Sequence, residues 1–414
     1  MTKNKKYILT ALSALMLFAA PITQAEAQWE KPQIHEDIDY WLDMRYRLET
    51  VDQDGIAKDA TASTLRARLG ISYAPVEQLK FLLEMEANTP FGGEDYNNSI
   101  NGKARPTIAD PDSLELNRAQ VAFTGVPDTT IIAGRQRVIL DNARFVGNVG
   151  WRQNEQTFDS LVAVNTSLAD TTLIAGHVWN VHRIFGSQSD SRKLDVTGTW
   201  LLNGKYTGFD LADITGYGYI IDVDEAATLS SQTFGARAVG KYDLNDAQSV
   251  LYTAEFAKQT DNASNTADLD AHYFLGELGF KHKALTLKAG YEELAGDGTT
   301  ATAFQTPLAT LHAHNGWADK FLTTPGDGLE DMYLKATYKY GVAENDVMGD
   351  IKMTAVYHDF SAENTGADYG HEIDLALSAT FFDHYNVTIK YADYNEDGLL
   401  TDTEKVWFQI GTKF

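Results

Sequence analysis

Three stretches of this chain carry arginines two residues apart: Arg45 and Arg47 in "MRYRLE", Arg66 and Arg68 in "LRARLG", Arg135 and Arg137 in "GRQRVI". A guanidinium presents a planar fork that engages a carboxylate through two parallel hydrogen bonds, so such a cluster suits anionic solutes. Opposed charges that merely set a field across a general porin's constriction account for the same residues equally well. A second constellation stands near the chain end. "DYNEDGLLTDTE", residues 393–404, fits the calcium-loop template D-x-N-x-D-G-x5-E. It would offer oxygens from Asp393, Asn395, Asp397, the Leu399 carbonyl and Glu404 to a Ca2+ ion, with Gly398 at the sharp turn. That template normally joins helices. Here both flanks, "NVTIKYA" and "KVWFQIGTKF", alternate like strands. A plain polar hairpin tip is the competing reading, since Asn, Asp and Gly favour turns for their own reasons.

A spacing of two puts side chains on one face only in extended backbone. The surrounding sequence has that period. In "YWLDMRYRLE", Tyr40, Leu42, Met44, Tyr46 and Leu48 oppose Trp41, Asp43, Arg45, Arg47 and Glu49. "LRARLGISY", "LTLKAGY", "IDLALSATF" and "VWFQIGTKF" repeat the scheme, each with one apolar face. Such alternation means strands. The connections between them alternate short ("APVEQ", "GVPDT", "SLADT", "YTGFDLA", "DLNDA", "HK", "GVAEND", "FDH") and long, near 50–60, 89–113, 138–155, 181–192, 222–230, 259–268, 293–331, 360–369 and 393–404. Eight short turns and nine long loops predict an all-β, antiparallel transmembrane β-barrel of eighteen strands, with sixteen as the alternative. It must close, because an open edge in lipid leaves backbone groups unpaired. Asn117 and Arg118 break parity and predict a bulge.

The start, "MTKNKKYILTALSALMLFAAPITQAEA", has a basic lead, an apolar stretch and an Ala-Glu-Ala ending. It reads as a signal peptide over residues 1–27, leaving 28–414 as a single outer-membrane barrel domain. There is no cysteine, which rules out disulfides and thiol chemistry. The formal net charge of −24 offers nothing to nucleic acid. It concentrates in the long loops, where acidic rims suit a surface on which divalent cations bridge lipopolysaccharide. Phe414 falls in phase with Phe408 and Ile410, the terminal pattern read by barrel-assembly machinery in the bacterial outer membrane. Parity sends Arg45, Arg47, Arg66, Arg68, Arg135, Arg137, Arg237, Lys288, Lys335 and Lys339 to the lumen, together with Glu84, Glu86, Asp159, Glu277, Glu372 and Asp374.

"GRQRVILDNARFVGNVGWRQNEQTFDS" (134–160), "LELNRA" (114–119), "FQTPLATLHAHNGWADKFLTTP" (304–325) and "YADYNEDGLLTDTEKVWFQIGTKF" (391–414) resemble the alginate-export family of outer-membrane channels. The resemblance implies an eighteen-stranded barrel with an arginine-lined pore that passes an anionic polyuronate. Within the matching block it implies pore-lining roles for Arg135, Arg137, Arg144 and Arg152, the last two lining the mouth or folding inward. No G-x-S-x-G or H-E-x-x-H motif is present, so an enzyme is not expected. The 293–331 loop is far longer than a connection needs. Its apolar residues Leu308, Leu311, Trp317, Phe321 and Leu322 predict that it folds over or into the mouth.

Overall fold

In the computed structural model, residues 37–191, 193–341 and 347–414 are described. The signal-peptide reading and most of the "GVAEND" turn fall outside them. The described residues form eighteen strands: β1 (Ile38–Gln53), β2 (Ala60–Val76), β3 (Leu79–Asp95), β4 (Ser113–Val126), β5 (Thr129–Gln136) and β6 (Thr157–Asn165). Then follow β7 (Thr171–His182), β8 (Lys193–Tyr206), β9 (Ala212–Ile221), β10 (Ser231–Asn245), β11 (Gln248–Asp261) and β12 (Asp270–His282). The last six are β13 (Leu285–Leu294), β14 (Leu329–Tyr340), β15 (Met348–Ser361), β16 (Asp368–Phe381), β17 (Tyr385–Asn395) and β18 (Thr403–Lys413). Each pairs antiparallel with its chain neighbours, and β1 pairs with β18 from Asp43↔Lys413 to Gln53↔Thr403, closing the barrel. The architecture is the one the alternating pattern predicts.

The apolar parity set faces outward. Leu69, Leu83, Leu202, Phe256, Leu278, Leu334 and Leu375 are exposed strand residues, a belt that water would not tolerate but lipid does. Exposed aromatics stand at both ends of the belt. Phe91, Trp179 and Phe234 lie toward the long loops, and Tyr206, Tyr242, Tyr340, Phe382 and Phe414 toward the short turns. The predicted bulge is present: Glu84 pairs with Arg118 and Met85 with Leu116, leaving Asn117 extra.

The interior departs from an open tube. The loop between β5 and β6 and the loop between β13 and β14 turn into the barrel and build a core inside it. Val138, Leu140, Phe145 and Val146 of the first meet Phe304, Leu308 and Phe321 of the second. The ring of Phe145 packs on Tyr217, Tyr219, Tyr273 and Phe304 at 5.2–6.0 Å between centroids. A parallel bridge, Val146↔Leu308, ties the two loops together. Apolar side chains on a barrel's inner face are affordable only because these loops cover them.

Candidate functional site: a lumen narrowed by two infolded loops

The arginines of the first strands hold the loops. Arg45 donates to Gln153 Oε1 at 2.9 Å and to the carbonyl oxygens of Gly150 (3.0 Å) and Arg152. Arg47 donates to the Trp151 carbonyl and to Gln409 Oε1 (2.8 Å), and its guanidinium lies 4.2 Å from the Trp151 ring centroid. Arg66 pairs with Asp43, and Arg68 with Glu86 and Glu155. The fork geometry read from the sequence is therefore used, but on the protein's own carboxylates and carbonyls.

The loop arginines do the same from the other side. Arg144 donates to Glu292 at 2.7 Å and to Thr306 and Asn315 at 3.1 Å, so it reaches both the wall and the second loop. Arg152 bridges Glu49 (3.1 Å) to Asp319 (2.9 Å). Both side chains are buried between the wall and the second loop. Arg137 lies just beyond β5 and sends Nε to both oxygens of Glu155 at 2.7 Å. Burial pushes the Glu155 carboxyl up, but Arg68 and Arg137 outweigh it and hold it at about 2.

Arg135 pairs with Asp159 at 2.9 Å and lines a cavity of about 170 Å³ with Glu86, Asn117 and Glu155. Its register partners are Ala119 and Asp159. Gly134 has φ +111°, and a Cβ there would press on the Ala119 carbonyl oxygen, so only glycine permits this approach.

At the centre the two loops meet. Trp151 and His312 stack at 4.6 Å with 6° between their planes. Lys390 donates to His312 Nε2 at 2.7 Å and sits 4.0 Å from the Trp151 centroid and 3.7 Å from Trp317. Opposite, His312 Nδ1 donates to Asp319 at 2.7 Å. Burial pushes His312 down to about 3, with Lys390 adding to it and Asp319 opposing, so the imidazole is neutral. Asp319 also accepts from Lys405 at 3.0 Å and, despite burial, is held well below the usual carboxylate range by His312 and Lys405. Trp151, Asp319, Lys390 and Lys405 were not singled out from the sequence, since loop contacts carry no period.

Beside this knot is a cavity of about 250 Å³. Arg237, Lys288, Lys335, Tyr333, His314 and His358 line it, with Glu277, Glu292 and Asp331. Its acids are engaged: Glu277 with Lys288 (2.7 Å), Glu292 with Arg144 (2.7 Å), Asp331 with His358 (2.8 Å). Arg237 is matched by Glu255 at 2.6 Å. Burial, helped by Arg144, pushes the His314 imidazole down to about 4. Lys335 is different. It stands directly across from Lys288 and has no carboxylate partner among the described residues. Toward the short turns Lys339 opposes Lys352, and both are likewise without an ion-pair partner among the described residues.

The candidate calcium loop takes another form. Asp393 and Glu404 are opposed residues of β17 and β18, and Glu404 also opposes Asp52 of β1. The Leu399 carbonyl accepts the Tyr394 hydroxyl at 3.0 Å. Asp402 caps the Glu396 amide at 2.8 Å, and Glu396 caps Gly398 at 2.7 Å. The strands run on into the template and hold its first and last carboxylates in the sheet, so the twelve residues do not wrap one point.

No protein-family model matches the chain, and no curated protein matches it. The alginate-export resemblance thus gains no support from either. Solved structures do match in fold. OccAB4 of Acinetobacter baumannii superimposes with a TM-score of 0.70 over 93% of this chain and 100% of its own, at 13% identity. OccK9 (OpdG) of Pseudomonas aeruginosa gives 0.69 over 92% and 99%, at 14% identity. OpdK of Pseudomonas aeruginosa, solved with vanillate, gives 0.67 over 91% and 98%, at 14% identity.

Proposed function

We propose that this protein is an outer-membrane channel for small anionic solutes, passing them through a lumen narrowed by its own two loops. Lys335 carries the reading. It is an unmatched cation on the wall of a lumenal cavity, opposite a second lysine, with further unmatched lysines toward the short turns. Glu277 pairs with Lys288 alone, and Lys339 faces Lys352 without an ion-pair partner among the described residues, so a local excess of positive charge remains that an entering anion relieves. The arginine cluster supplies the scaffold rather than the selectivity, because its charges are already spent on Asp43, Glu86, Glu155, Glu49 and loop carbonyls.

OpdK was solved with vanillate, an aromatic carboxylate. Solutes of that size and charge suit a cavity of about 250 Å³ here. A polyuronate such as alginate is less well served, since a stiff polymer would have to pass the Trp151–His312–Lys390 knot as a continuous chain. Proteoliposome permeation tests the reading. Small carboxylates should enter faster than neutral solutes of equal size, and Lys335→Gln should narrow the difference. Equal rates for both classes, or a barrel impermeable to either, would overturn it.

A further inference from the structure

On the outer flank of the barrel, at the long-loop rim, two carboxylates and an imidazole converge away from the lumen. His272 of β12 lies in phase with outward Phe274 and Leu278, and Glu293 of β13 with outward Leu287. Glu363 comes from the loop between β15 and β16. One ligand atom from each of His272, Glu293 and Glu363 lies within 4.8 Å of the others. His272 Nε2 is already 2.7 Å from Glu293 Oε1.

A separate observation concerns charge. Glu293 stands directly across from Glu330 of β14 in the sheet register. Like charges in directly opposed positions destabilise a strand pair. Here only the Tyr291 hydroxyl lies between them, 2.6 Å from Glu293 and 2.7 Å from Glu330. Among the described residues no lysine or arginine pairs with Glu293, Glu330 or Glu363. Lys258, opposite His272 in the register, is taken by Asp270. The corner therefore holds an uncompensated negative charge that a cation would neutralise.

We propose that His272, Glu293 and Glu363 bind a divalent cation, with Glu330 within reach through Tyr291. One imidazole nitrogen with carboxylate oxygens is a donor set for an ion of borderline softness such as Zn2+ or Mn2+, rather than the all-oxygen set that Ca2+ and Mg2+ prefer. The placement gives the ion a task. Glu363 accepts the Gly296 amide at 3.1 Å, the Ala295 amide donates to the His272 carbonyl at 2.9 Å, and Asn364 donates to the Asp327 carbonyl at 2.9 Å. Residues 295–296 and 327 are the two roots of the second infolded loop. A bound ion joins β12, β13 and the β15–β16 loop at that point, and so clamps the loop that narrows the lumen.

Calorimetric titration of Zn2+ into chelator-stripped, untagged protein in detergent tests the site. One equivalent should bind, at least tenfold more tightly than Ca2+ or Mg2+, and should raise the melting temperature. Glu363→Gln and His272→Ala should each weaken binding at least tenfold and abolish the rise, whereas His177→Ala, at a half-buried histidine elsewhere on the outer face, should change neither. Glu363 lies in a loop between strands, so its variant reports binding in a folded barrel even where His272→Ala disturbs β12. Absence of Zn2+ binding, or binding undiminished in Glu363→Gln, would overturn the proposal.

Discussion

Trp151 and His312 lie face to face at 4.6 Å, one contributed by each infolded loop, and the Trp151 carbonyl accepts from Arg47 of the wall. Lys390 reaches both from β17, donating to His312 and resting against the Trp151 ring. The two loops therefore form one unit, braced by several wall cations: Arg47 at Trp151, Lys390 at His312 and Lys405 at Asp319. Perturbing either loop should loosen the other.

Arg152 gives the plainest test of that bracing. It is buried between Glu49 on the wall and Asp319 on the second loop. Replacing it by Met leaves the buried Glu49 without its ion-pair partner and Asp319 with Lys405 alone, a loss of about 3–5 kcal/mol for a broken buried pair. Arg152→Met should lower the melting temperature and make single-channel currents flicker. Adding Glu49→Gln should recover part of the loss, because it removes the orphaned charge. Full stability in the single variant would mean that the loops are held elsewhere.

Acid should release the loops. Glu155 is held at about 2 in the folded state, below the ordinary 4.5, so its contribution is complete above about pH 4.5 and disappears toward pH 2. His312 is held at about 3, below its ordinary 6.5. For that group the unfolded state takes up the proton first, so stability falls as pH drops from about 6.5 toward 3. Asp319, also depressed, acts in the same sense. Amide exchange in 137–156 and 295–328 should rise between pH 7 and pH 4 before the wall strands respond. Exchange that is flat across that range would contradict these assignments.

Deleting 304–325 removes Phe304, Leu308 and Phe321 from the interior core together with His312 and Asp319. Single-channel conductance should increase. An unchanged conductance would make the loop only a cap on the rim.

At the hairpin tip, Asp52, Glu404 and Asp393 form a cross-strand row of like charge. Glu404→Gln should therefore stabilise the protein in chelator by roughly 0.2–1 kcal/mol. Asp402→Ala should cost stability with or without calcium, because Asp402 caps the Glu396 amide. If calcium instead raises the melting temperature, and Asp393→Ala with Glu404→Ala abolishes the rise, the tip does bind the ion after rearranging.

The wall was legible in the sequence because a strand's period of two is local. Residues such as Leu69, Leu278 and Leu334 announce their face without reference to any other strand. The Asn117 bulge was legible for the same reason. The interior was not. Nothing within ten residues of Trp151 indicates that it will meet His312, because loop packing follows no period. The apolar content of 304–325 foretold an inward fold, whereas "RVILDNARFVGNVGWRQ" mixes charge with apolar residues and gave no such sign. The arginine forks were read as sites for anionic solutes, and in the structure Arg66 and Arg68 pair with Asp43, Glu86 and Glu155. Their partners are carried by other segments, so the sequence could not show that those carboxylates belong to the protein itself.

The account's central claim is a conducting lumen whose selectivity resides in lysines left unmatched by the arginine scaffold. The most direct test is the reversal potential of the purified protein in a planar bilayer under a salt gradient. The unmodified channel should favour anions. The triple variant Lys335→Gln, Lys339→Gln, Lys352→Gln should shift the potential toward cations, while Arg66→Gln should move it much less than that. No conductance at all, or a larger shift from Arg66→Gln than from the lysine variant, would contradict the account.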